Sequence, residues 1–173
     1  MQTAPTIRPG SSTDAASIAA LGMQVWLHTY ATDGISPVIA EYVLEEFTAA
    51  KLGRLLEDPG ATIHVAEIDG HLVGYVVVHH GVECAEAGST TEVATLYVQE
   101  HFIRRGIGRA LLHAAQAEAR LRTGSRRVWL TVNIHNANAI GFYDSEGFIR
   151  VGTAYFELGG ERYENHLLAG PAG

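Results

Sequence analysis

Lysine and cysteine are nearly absent from this 173-residue chain: each occurs once, as Lys51 and Cys84. A single cysteine excludes an internal disulfide and any zinc site built from several thiolates. Nothing around Val82-Glu83-Cys84-Ala85 would lower a thiol pKa, so Cys84 reads as a small apolar residue and not as a nucleophile. The lone lysine also lies outside any Gly-Lys-Ser or Gly-Lys-Thr sequence, which removes a P-loop. No apolar run approaches 18 residues and there is no signal-peptide core, so a soluble, cytoplasmic chain with no membrane contact is expected. Nine histidines include no His-x-x-x-His pair, and no metal site is expected. Repeats and low-complexity segments are missing too. One domain over residues 4–170 follows, with Met1 to Thr3 and Gly170 to Gly173 as frayed ends.

What the chain does have is an uneven charge distribution. Residues 104–127 hold seven arginines against one acid, Glu118, while the remainder carries five basic and eighteen acidic groups. A short positive island in an acidic protein suits an anionic cofactor and a cationic or neutral second substrate. It is too short, and too poor in accompanying motifs, to indicate nucleic acid.

The island opens on Leu96-Tyr97-Val98, continues through Ile103-Arg104-Arg105-Gly106-Ile107-Gly108-Arg109-Ala110, and runs into a helical pattern. A strand, a glycine turn and a helix start together bind phosphate: backbone N–H groups can close on an anion where Gly106 and Gly108 have no Cβ, and the helix dipole favours negative charge there. Arg104, Arg105 and Arg109 add charge-assisted hydrogen bonds. A dinucleotide fingerprint would need a third glycine where Leu111 stands. About 25 residues on comes Asn136-x-x-Ala139-x-x-x-Tyr143-x-x-x-Gly147-Phe148. Asn136 suits an N-cap, Ala139 and Tyr143 share a helical face, and Gly147 suits a helix C′ position.

These two segments, in this order, resemble the GNAT superfamily of N-acetyltransferases, with one departure: Ile103 stands where that family usually has Gln or Arg. The coarse order of elements is also that of the GNAT fold: strand 5–8; helices 12–29, 37–47 and 48–57; hairpin 62–68 with 72–80; strand 92–98; helix 106–122; strand 127–132; the Asn136 helix; and a closing hairpin 148–158 with 162–168. Ile18, Leu21, Val25 and His28 form the expected core stripe of the first helix, and Ile107, Ala110, Leu111, Ala114, Ala117 and Leu121 that of the helix after the glycine turn. The resemblance implies a single-domain α/β (α+β) fold with a mixed, mostly antiparallel central sheet, helices on both faces, and a splayed strand pair that binds acetyl-CoA.

By the same resemblance, the backbone of Leu96, Tyr97 and Val98 holds the pantetheine arm and acetyl carbonyl, residues 105–110 hold the pyrophosphate, and Asn136 contacts the arm. The reaction implied is acetyl transfer to a primary amine, with Tyr143 protonating the leaving sulfur. Glu92 is the candidate base, because strand alternation puts it on one face with Ala94, Leu96 and Val98. His79 and His80 point to opposite faces, so at most one could serve. Trp26, Tyr30 and Glu41 are candidate acceptor-binding residues, since rings and carboxylates suit a cation. The segments Ile39 to Phe47, Glu92 with Leu96-Tyr97-Val98, and Val128 to Val132 are similar to bacterial spermidine/spermine acetyltransferases of the PaiA kind. Alternatives are an enzyme acting on protein N-termini or lysines and a non-catalytic acetyl-CoA-binding regulator. The family also implies a homodimer.

Overall fold

The computed structural model describes residues 3–173, and its element boundaries follow the punctuation in the chain. Strand β1 spans Thr6–Pro9, and helices α1, α2 and α3 span Ala15–Tyr30, Pro37–Glu46 and Ala49–Glu57. Ser36 caps α2 by accepting from the Ile39 N–H, with Pro37 preorganised in the first turn; Thr48 caps α3 by accepting from the Lys51 N–H at 3.1 Å. Strands β2 (Ala61–Ile68) and β3 (His71–Cys84) are joined by Asp69 and Gly70, both at positive φ, the backbone that a two-residue hairpin turn requires. Next come β4 (Ser89–Val98), α4 (Ile107–Thr123), β5 (Trp129–Asn133), α5 (Ala137–Ser145), and the hairpin of β6 (Ile149–Leu158) and β7 (Glu161–Ala169) about Gly159-Gly160.

The strands pair in the order β1-β2-β3-β4-β5-β7-β6, mostly antiparallel. The parallel member is β4 with β5, and among the described residues that ladder consists of Glu92 opposite Trp129. Contacts divide the chain into two compact units, one of residues 1–77 and 95–114, the other of residues 78–94 and 115–173, so β3, β4 and α4 each contribute to both.

In the first unit Ile18, Leu21, Leu52, Ile63, Val65, Tyr75 and Val77 form the core. Arg8 on β1 organises one edge: it donates to both oxygens of Asp14 at 2.8 and 3.0 Å and to Glu67 Oε2 at 2.8 Å. These bonds, helped by the Ser11 N–H, outweigh burial and hold the Asp14 carboxyl down at about 2. A carboxyl lowered by folding stabilises fully above its ordinary value of 3.8 and progressively less as the pH falls toward 2. Asp14→Asn is therefore expected to be less stable than wild type at neutral pH by about 1–2 kcal/mol. In urea unfolding, the gap should close as the pH is lowered.

In the second unit Cys84, Ala87, Leu167 and Ala169 cluster with Trp129 and Val151. The burial of Cys84 agrees with its reading as an apolar residue.

Several expectations are corrected. His28 is off the α1 stripe: its ring is exposed and lies 3.4 Å from Glu100. On α4 the buried stripe is Ile107, Leu111, Leu112, Ala115 and Ala119; Ala117 is exposed and Leu121 is 82% exposed. An alanine-rich helix offers several stripes of similar apolarity, and the bulk of Leu112 beside Leu111 selects among them. Strand β3 runs past His80 through Gly81, at positive φ, to Cys84. Of the ends, Met1 and Gln2 lie outside the described residues, while Gly170 is buried and its N–H donates to the Val128 carbonyl at 2.8 Å.

Candidate active site

The glycine turn has the backbone that anion binding needs. Gly106 lies at φ 79°, where an added Cβ would meet open space, and Arg104 reaches φ 60°, a conformation that non-glycine residues seldom adopt. Two left-handed residues in this short turn tighten it directly before α4 begins. The Gly106 carbonyl accepts from the Ala110 N–H at 3.0 Å, which starts the α4 ladder there and puts the N–H groups of Ile107 and Gly108 in its first turn. Ile107, 1% exposed, anchors the helix start in the core. Arg105 stacks over the Phe102 ring at 5.0 Å, and Ile103 is exposed. This turn fits a polyphosphate group.

Gly74, which the sequence reading passed over, fixes where this turn sits. A Cβ there would lie 2.8 Å from the Tyr97 carbonyl and 3.1 Å from Leu111 Cδ1. Its absence lets α4 pack directly onto β3 and the end of β4. An isolated glycine in an apolar strand is the signal that could have found it.

The second segment is a helix with both ends tied. Asn136 Oδ1 accepts from the Ala139 N–H at 3.2 Å. At the other end the Phe148 N–H donates to the Tyr143 carbonyl and the Gly147 N–H to Asp144, with Gly147 at φ 82°. That is a Schellman cap, and its accompanying hydrophobic contact is Tyr143 against Phe148, ring centroids 5.4 Å apart. The spacing Tyr-x-x-x-Gly-Phe thus has a structural cause: it orients the Tyr143 ring, which is 8% exposed.

Glu92 sits three residues inside β4, half-buried, and not at a strand end. Burial pushes its carboxyl above the ordinary range, partly countered by nearby His79. His80 instead interacts with Arg122 and Glu118, so the two histidines do serve opposite faces. Glu92 opens into a cleft of about 650 Å³, whose walls include Glu83, Glu86, Trp129, Thr131 and Leu167. The Trp129 indole N–H donates to the Val82 carbonyl at 2.9 Å, which fixes the ring. Sequence reasoning missed Glu83, Glu86 and Thr131 because only the β3–β4 turn and the β5–β7 register bring them beside Glu92.

Of the other candidates, Trp26 is 5% exposed, packed against Tyr30 and Tyr42 at 5.1 and 4.9 Å between centroids. Tyr30 and Glu41 are exposed. Among the described residues, no three His, Cys, Asp or Glu side chains are grouped to hold a metal ion, and no helix is long and apolar enough to cross a membrane.

Residues 24–148 match the family model described as Acetyltransferase (GNAT) family. An N-alpha-acetyltransferase of Sulfurisphaera tokodaii is 32% identical over 67% of this chain and 72% of its own length. An aminoglycoside N(6')-acetyltransferase type 1 of Stenotrophomonas maltophilia is 34% identical over 68% and 69%. The crystal structure of PaiA N-acetyltransferase from Thermoplasma acidophilum in complex with coenzyme A superposes with a TM-score of 0.78 at 20% identity, over 96% of this chain and 98% of that one.

Proposed function

Because this chain belongs to the GNAT family of acetyltransferases and is an N-acetyltransferase that uses acetyl-CoA, we propose that its acceptor is a small cationic amine deprotonated by Glu92. The observation that carries this reading is the half-buried Glu92 carboxyl, held above its ordinary pKa, opening into an acidic cleft. The name of the Stenotrophomonas relative, whose acceptors are aminoglycosides, supports a small molecule.

Acetyl-CoA supplies an activated acetyl thioester. On the protein side, the N–H groups at the start of α4, with Arg104, Arg105 and Arg109, hold the pyrophosphate, and the backbone of Leu96, Tyr97 and Val98 continues the cradle along β4. Asn136 uses its carbonyl oxygen as a helix cap, which leaves its NH₂ group to donate to the cofactor arm. Glu92 takes a proton from the acceptor ammonium, directly or through one water, and the freed nitrogen pair forms the bond to the acetyl carbonyl carbon as the C–S bond breaks. Tyr143 gives its phenolic proton to the departing sulfur and is reprotonated, through solvent, by the second proton that the nitrogen sheds as the amide forms. The products are the N-acetyl amine, CoA thiol and the proton that Glu92 passes to solvent. A carboxyl with a raised pKa is suited to this base role, since its conjugate acid lies closer to the working pH.

Purified protein is expected to release free thiol from acetyl-CoA with small diamines or aminoglycosides as acceptors. Thiol release with no small amine, but with coenzyme A still bound, would contradict the proposal. Gly106→Val places a β-branched residue at positive φ inside the phosphate turn, so KM for acetyl-CoA should rise by about tenfold or more. Steady-state kinetics at saturating amine checks this, and an unchanged KM would remove residues 105–110 from the cofactor site.

A further inference from the structure

The phosphate turn needs support from outside itself. Arg104 and Gly106 stand at φ 60° and 79°, and the first of these is disfavoured for any residue with a Cβ. The chain that leads into the turn is a single 3₁₀ turn, Glu100–Phe102. Within it the Phe102 N–H donates to the Gln99 carbonyl at 2.8 Å, and the Ile103 N–H reaches the Glu100 carbonyl at 3.4 Å. The Gln99 N–H donates to the Val73 carbonyl on β3 at 2.9 Å, which ties the segment to the sheet at its start. A turn that holds its anion-binding shape for only part of the time binds more weakly by that fraction.

Helix α1 supplies the support. Gln24 and His28 lie one helical turn apart and so share a face. Gln99 Nε2 donates to Gln24 Oε1 at 2.9 Å, and His28 Nε2 lies 3.4 Å from Glu100 Oε1. Two residues of one helix thus grip two successive residues of the lead-in segment. The helix itself is fixed through buried Ile18, Leu21 and Trp26, whereas Gln24 and His28 are exposed and add nothing to the core. At the far side of the turn Ile107 is anchored in the core, and Arg105 over the Phe102 ring spans the interval between the two anchors.

Resting on the reading of residues 105–110 as the pyrophosphate site, we propose that Gln24 and His28 are positioning residues for acetyl-CoA. They act through Gln99 and Glu100, holding the lead-in segment so that a larger fraction of the free protein has its phosphate turn ready. The gain falls on the polyphosphate half of the cofactor and not on its thiol arm.

Calorimetric titration with coenzyme A and with pantetheine, which lacks the pyrophosphate and the nucleotide, separates the two halves. In Q24L/H28L the Kd for coenzyme A is expected to rise about fivefold, while that for pantetheine stays within about twofold of wild type. Q24E/H28Q keeps an acceptor facing Gln99 and a donor facing Glu100, and should bind coenzyme A as wild type does. Coenzyme A binding by Q24L/H28L within twofold of wild type overturns the inference. An equal loss for pantetheine overturns it too, because a general loosening of this unit would weaken both ligands. Gly106→Val tells this failure from failure of the underlying reading. If Gly106→Val weakens coenzyme A and Q24L/H28L does not, the inference alone falls; if neither variant weakens it, the assignment of residues 105–110 falls as well.

Discussion

Tyr143→Phe is expected to lower kcat by about 10²-fold or more while leaving the affinity for coenzyme A near that of wild type. The phenolic hydroxyl is the only group removed. The ring keeps its contacts with Phe142 and Phe148 at 5.2 and 5.4 Å, and the Schellman cap that sets its direction uses the Tyr143 backbone. A packing role alone predicts a change in melting temperature with little change in turnover; a proton donor predicts the reverse. Single-turnover thiol release together with calorimetric titration of coenzyme A separates the two. Undiminished turnover in the variant would show that the leaving sulfur takes its proton elsewhere.

Glu92→Gln is expected to be comparably damaging, with a distinct signature in pH. The base works ionised, and burial raises its pKa, so the acid limb of kcat/KM should lie above the range of an exposed glutamate and should vanish in the variant. The stability effect has the opposite sign. A carboxyl whose pKa is raised on folding contributes stability below its unfolded pKa that is lost as the pH rises through the folded one. Ionised Glu92 is therefore a cost at neutral pH, and Glu92→Gln should melt slightly higher than wild type there while the two converge in acid. A more stable protein with less activity is the outcome that a site carboxylate, and not a structural one, produces. Activity retained at high pH, with the acid limb unmoved, would assign the base elsewhere.

Where local physics decides a feature, the sequence discloses it. Ser36 with Pro37, Thr48, Asp69-Gly70 and Gly159-Gly160 set boundaries because capping and positive φ depend on a few adjacent residues. The glycine turn and the Tyr143 segment were legible for the same reason: each is a local backbone motif, and the Tyr-x-x-x-Gly-Phe spacing is that of a helix end. Features that depend on partners distant in the chain were not. The buried stripe of α4 was misjudged because alanines at several positions give little contrast, and packing chose Leu112 and Ala119 over Ala117 and Leu121. His28 looked periodic with Ile18 and Leu21 yet pairs with Glu100, 72 positions away. The cleft is the clearest instance. Glu83 and Glu86 lie in a stretch that reads as a loop, Thr131 and Leu167 meet through the β5–β7 register, and all four line one cleft with Glu92.

The central claim is that a small cationic amine, and not a protein terminus, is the acceptor at Glu92. A competition in one vessel tests it most directly: acetyl-CoA, 1,4-diaminobutane and a short peptide with a free N-terminus at equal concentrations, the acetylated products separated and identified by mass. Acetylation of the diamine in large excess over the peptide, lost in Glu92→Gln, is the result predicted; acetyl groups recovered on the peptide alone would contradict it.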